Sequence, residues 1–133
     1  MRVFNAEWWS LKIPEEAVIE TTRDCVMLCM PGQYEVRLIV LRGEAVGATE
    51  AELEAYAKPF CAEAQDRVNV DNNEWRGFSF LYVDAGSEKR DYRGYVWKGR
   101  YLLIAVVNPE NSAIENGKNV FADILKRIDV KGS

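Results

Sequence analysis

Residues 101–107, Tyr-Leu-Leu-Ile-Ala-Val-Val, are apolar at every position. Successive side chains of a strand point to opposite faces of its sheet, so a strand that is apolar throughout must be covered on both faces. This segment is therefore expected in the interior of a sheet with something packed on each side. The stretches before it carry the same period of two. Residues 75–83 and 90–97 read as strands, separated by Ala85-Gly86-Ser87, and Lys98-Gly99 then turns the chain into the apolar strand. The three together predict an antiparallel meander.

The first third of the chain reads as further strands. Residues 8–13 alternate loosely and stop at Pro14. Residues 17–21 and 25–30 form a hairpin around Thr22-Arg23-Asp24, and Pro31-Gly32 supplies the fixed φ and the left-handed position of a type II turn. Residues 34–41 then return antiparallel. Two helices complete the pattern. Thr49 and Glu52 form a capping box ahead of Leu53, Tyr56, Ala57, Phe60, Cys61 and Ala64, which recur at three- and four-residue spacing. Pro59 inside that run predicts a kink or break, because its ring would clash with the carbonyl of Ala55. Ser112 and Glu115 cap a closing helix with Ile114, Gly117, Phe121, Ile124, Leu125 and Ile128 on one face.

At 133 residues, with hydrophobic side chains making up 48%, the chain is expected to fold as a single domain over residues 1–133. No repeat, linker or low-complexity stretch divides it. Polar residues interrupt the first seven positions, so no export segment is expected, and no apolar run reaches the roughly twenty residues a membrane helix needs. Three cysteines without secretory context fit reduced thiols in a cytoplasm. A net charge of -4 argues against nucleic acid as a partner. The fold class expected is α/β of the α+β type, a mainly antiparallel sheet with helices packed on it.

The segment Ser10-Leu11-Lys12-Ile13-Pro14-Glu15-Glu16-Ala17-Val18, in which a strand meets proline, is similar to the opening of PsbP-like domains. The end, Ile124-Leu125-Lys126-Arg127-Ile128, resembles the final helix of that family. Ala17 stands where an aromatic residue often occurs. The order of strands, helix, meander and final helix also resembles the PsbP-like α/β/α sandwich, found in photosystem accessory proteins, Ran-binding regulators and many uncharacterised bacterial domains. The resemblance implies that fold and an interaction role, because members mostly bind other proteins.

Catalytic patterns are sparse. With no histidine, chemistry that uses imidazole as base, shuttle or metal ligand is excluded. Ser10, Ser79, Ser87 and Ser112 lie in no Ser-x-x-Lys or Gly-x-Ser-x-Gly setting. Cys25 and Cys29 stand about 13 Å apart on an extended strand, beyond the roughly 7 Å limit of a disulfide, and they read with Cys61 as small buried hydrophobes. The loop from Gly43 to Thr49 has three residues between its glycines and Ala48 where a phosphate-binding loop needs lysine. No metal or cofactor is expected, and no pair of carboxylates stands out by spacing. Trp8 and Trp9 must point to opposite faces if extended, which offers one of them as a contact residue.

Charge is distributed unevenly. Arg76, Lys89, Arg90, Arg93, Lys98 and Arg100 crowd residues 75–100, whereas Glu50, Glu52, Glu54, Glu63 and Asp66 oppose Lys58 alone in residues 49–66. Arginine beside aromatic side chains is the composition of interface hot spots. Arg76, Arg90, Arg93, Tyr95 and Trp97 are accordingly the expected contacts for another, acidic, protein. Two other functions remain open: a small-molecule site with an aromatic pocket between sheet and helix, and an enzyme working through carboxylates or a thiol.

Overall fold

The computed structural model describes residues 1–23, 25–43, 49–86, 89–109 and 114–131. Ten strands and two helices follow in the order β1 (Arg2–Asn5), β2 (Trp9–Ile13), β3 (Val18–Thr21), β4 (Val26–Met30), β5 (Tyr34–Arg42), α1 (Thr49–Cys61), β6 (Ala64–Asn72), β7 (Trp75–Val83), β8 (Arg90–Lys98), β9 (Tyr101–Pro109), α2 (Ile114–Arg127) and β10 (Ile128–Val130). The strands form a seven-stranded sheet, β3-β4-β5-β9-β8-β7-β6, and a three-stranded sheet, β1-β2-β10. Every pairing is antiparallel.

The apolar strand, β9, is the centre of the large sheet, between β5 and β8. Its two faces go to two cores, as its composition requires. Tyr101, Leu103, Ala105 and Val107 join a core shared with α2 and the small sheet. Leu102 and Ile104 join a second core under α1, with Leu53, Ala57, Phe78, Phe80 and Tyr95. The molecule is thus three layers: α1, the large sheet, and α2 together with the small sheet. Layers two and three are also tied where the Tyr101 hydroxyl of β9 donates to the carbonyl of Lys131, whose amide donates in turn to the carbonyl of Trp8 within the third layer.

The hairpin at Pro31-Gly32 forms as expected, with Gly32 at φ +76°, and the turn before β9 has Gly99 at φ +59°. Pro59 does not break α1 in two. The helix runs through it and ends two residues later at Cys61, so the proline sits in the last turn, where little helix remains to be lost. The Thr49 side chain, the Ser112 cap and residues 44–48 of the glycine loop lie outside the described residues. Ile128, expected in the closing helix, instead begins β10, and Ala64 begins β6. Trp9 is buried in β2, while Trp8 is half-buried beside it.

Three tyrosines report on this packing. Burial raises the pKa of Tyr34, Tyr92 and Tyr95 above the ordinary 10.0, with Tyr92 also bonded to the Ser79 hydroxyl at 2.7 Å. The folded chain therefore holds phenol protons that the unfolded chain releases first. Stability from these groups is complete below the ordinary value and is lost as pH climbs through the raised ones. Urea midpoints measured from about pH 8 to about pH 11 should stay level and then fall. Replacing Tyr92 and Tyr95 with phenylalanine should flatten that fall.

Candidate functional site

The face of the large sheet under α1 is built from residues alternating with those of the opposite core. On β7 these are Arg76, Phe78, Phe80 and Tyr82, and on β8 they are Asp91, Arg93, Tyr95 and Trp97, with Arg76 paired to Trp97 and Phe78 to Tyr95. Phe78, Phe80 and Tyr95 stack with ring centroids 5.5–6.3 Å apart. Leu53 and Ala57 of α1 close over them and are fully buried. The space beneath Leu53 and Ala57 is therefore filled by the protein's own aromatic side chains.

Two arginines clasp the ends of this interface. Arg67 of β6 lies 3.9 Å above the Phe78 ring and donates to Glu54 of α1 at 2.6 Å. Arg93 of β8 lies 3.9 Å from the centre of the Phe60 ring and 4.8 Å from that of Tyr82. Its guanidinium donates twice to Asp91, at 2.7 and 3.2 Å. Burial disfavours its charge, yet the bonds to Asp91 and Tyr95 raise its pKa above the ordinary arginine value.

These positions divide the five expected contacts. Tyr95 is 1% exposed and belongs to the core, so it offers nothing to a partner. Arg93 has 15% of its side chain exposed and is committed to Asp91 and two rings, so it holds α1 in place instead of presenting a free charge. Arg90 is exposed but stands on the other face of β8 and at its other end. Seven residues of strand, about 24 Å, separate it from Trp97. Arg93 and Tyr95 meet inside the packing under α1, and Arg76 and Trp97 meet outside it. The latter two are register partners at one end of the sheet, with Arg76 exposed and Trp97 half-buried.

Beside that pair runs a groove of about 530 Å³ between the first half of α1 and strands β6 and β7. Glu50 and Glu54 form its helical wall, Arg67, Asp71 and Arg76 its sheet wall, and Phe78 and Trp97 its floor. The sequence pattern shows the β7 side of this groove but not β6, which supplies Arg67, Asn69, Val70 and Asp71 to its lining. The β6–β7 turn that ends it is held firmly. Asn73 and Glu74 take φ of +54° and +70°, as a two-residue hairpin turn of the primed type requires, and Asn72 and Asn73 donate to the α2 carbonyls of Ala122 and Leu125. Lys98 reaches Glu74 at 3.5 Å.

Among the described residues no group of three His, Cys, Asp or Glu side chains gathers as a metal site would. Cys25, Cys29 and Cys61 are free thiols, half-buried instead of fully buried as expected. Cys29 shares a face with Val18 and Glu35, opposite the buried Leu28 and Met30. Among the described residues no helix is long and apolar enough to cross a membrane.

No family model matches the chain, and no curated protein matches it in sequence. Its likeness to solved structures is one of fold. A crystal structure from Bacteroides thetaiotaomicron VPI-5482 superposes with a TM-score of 0.63 at 10% identity, over 95% of this chain and 46% of that one. This chain thus spans about half the length of that protein. The solution structure of cyanobacterial PsbP (CyanoP) from Synechocystis sp. PCC 6803 superposes with a TM-score of 0.58 at 8% identity, over 97% of this chain and 91% of that one. Three layers, a central antiparallel sheet and a helix on either face are common to the pattern read from the sequence and to these superpositions, and the chain has the PsbP-like fold.

Proposed function

We propose that the chain is a non-enzymatic protein-binding domain whose partner docks at the groove beside α1, against Arg76 and Trp97. The observation that carries this reading is the meeting of an exposed arginine and a half-buried tryptophan on an open groove lined by charges of both signs. Arginine and tryptophan supply much of the energy of protein interfaces, and a half-buried tryptophan has area left to bury. The filled space under α1 favours this over a small-molecule pocket, since a ligand site encloses most of its ligand. The chain has no histidine, the groove is lined by no cysteine, and its Glu54 is committed to Arg67, which supports a role without catalysis.

Arg76→Glu combined with Trp97→Ala should lower recovery of a protein partner from lysate by at least about tenfold, as for a hot-spot pair. Arg76→Glu alone, at an exposed position, should also weaken recovery while leaving the melting temperature nearly unchanged, which separates docking from the loss of Trp97 packing against the core. Arg90→Glu, on the opposite face, is the matched control and should leave recovery unchanged. Equal recovery by the groove variant and the control would remove the groove as the docking face.

A further inference from the structure

The edges of the two sheets are unequal. β3, β1 and β10 are three or four residues long, which leaves little backbone to pair with, whereas β6 is a nine-residue strand at the end of the large sheet. Its first half is guarded. The register with β7 shifts between Gln65 and Val68, and Asp66 takes φ +54°, a bulge of the kind that twists an edge away from new partners. Its second half is regular: Val68 to Asn72 pair residue by residue with Ser79 to Trp75. Among the described residues no backbone group bonds to the outer side of that half.

A groove flanks this half on each face of the sheet. On the α1 side it is the groove of about 530 Å³ already described, which reaches Asn69, Val70 and Asp71. On the α2 side a second groove of about 220 Å³ lies between β6 and α2, lined by Val68, Val70, Phe121, Ala122 and Leu125 with Lys118 among its lining residues. The first offers counter-ions, Glu50 and Asp71 for a cation and Arg76 for an anion, and the second is mainly apolar. A strand beside β6 would send alternate side chains to these two sides.

We infer that β6 accepts an extended segment of another protein by strand addition, with apolar residues of the segment alternating with charged ones. The inference rests on the protein-binding reading above and names the form of the partner. Main-chain bonds along Val68–Asn72 supply affinity, the α2-side groove takes the apolar residues, and the α1-side groove takes the charged ones. The asparagine bonds from the β6–β7 turn to α2 keep this edge rigid, so little ordering is needed on the protein's side.

A random peptide library displayed on phage and panned against the full chain supplies the probe, and one selected peptide is then titrated into the isotope-labelled protein. The selected peptides should alternate apolar and charged residues. The titration should slow amide exchange at alternate positions of Val68–Asn72 and produce interchain contacts to β6. Ala122→Arg, which fills the α2-side groove from a half-buried position, should weaken the peptide at least tenfold. If that variant melts early, the exchange pattern of the parent protein decides. Failure to select any peptide, or peptides that leave the β6 amides unprotected, would overturn the inference. Slow β6 amides in peptide-free protein that dimerises with concentration would assign the edge to a second copy and overturn it also. A peptide that depends on Arg76 but leaves β6 unprotected would retain the groove reading and remove strand addition alone.

Discussion

Gly94→Val will destabilise the protein by about 3 kcal/mol or more, at the upper end of the cost of overpacking a core. Gly94 lies in the middle of β8 between Ser79 of β7 and Ala105 of β9, so three small residues form a row across the sheet. The Phe121 ring of α2 lies in that trough, and any Cβ on Gly94 would fall within the space its ring atoms fill. Phe121 is 2% exposed and has nowhere to turn without lifting α2. At roughly 3–4 °C per kcal/mol for a chain of this length, the melting temperature should drop by about 10 °C. Gly94→Val combined with Phe121→Ala should cost less than the sum of the two single variants, because the smaller side chain vacates the trough. Strict additivity would show that the two do not share that space.

Arg93→Glu should cost about 3 kcal/mol as well, for an electrostatic reason. The substitution sets a carboxylate beside Asp91, leaves Phe60 and Tyr82 without their cation, and frees the end of α1. Arg90→Glu, three residues away, should fall within about 0.5 kcal/mol of the parent, as exposed surface substitutions do. Chemical denaturation of the two variants separates the roles that their nearness in sequence obscures. If both were neutral, the Arg93 clasp would carry no stability.

The sequence makes the interior of the molecule more legible than its margins. β9 declares itself because a strand buried on both faces needs apolar side chains throughout, and β7 and β8 because their alternation serves two different cores. β6 does not. An edge strand has one strand neighbour and shallow cover, and Ala-Gln-Asp-Arg-Val-Asn-Val-Asp-Asn shows alternation only at Val68 and Val70. β10 escapes because Ile128 continues the helical spacing of Ile124 and Leu125 while its strand is three residues long. The site is legible in part for the same reason. Arg76 and Trp97 are paired only through the register of β7 with β8, which residue types alone do not specify. A signal against grouping the arginines was present: Arg90 and Arg93 are separated by an odd number of residues on one strand and must face opposite ways. Asp91 and Arg93, two apart, share a face, which is the spacing of their ion pair.

The most direct measurement is photo-crosslinking in the cell of origin, with a photoreactive side chain in place of Trp97 in one variant and of Arg90 in another. Both positions tolerate the change, since Arg90 is exposed and Trp97 lies at the groove floor with part of its ring accessible. A partner docked in the groove should be captured as one discrete protein adduct through position 97, and not through position 90. Arg76→Glu in the first variant should abolish that adduct. Capture through position 90 alone, or an adduct at 97 indifferent to Arg76, would contradict a groove in which those two side chains receive the partner.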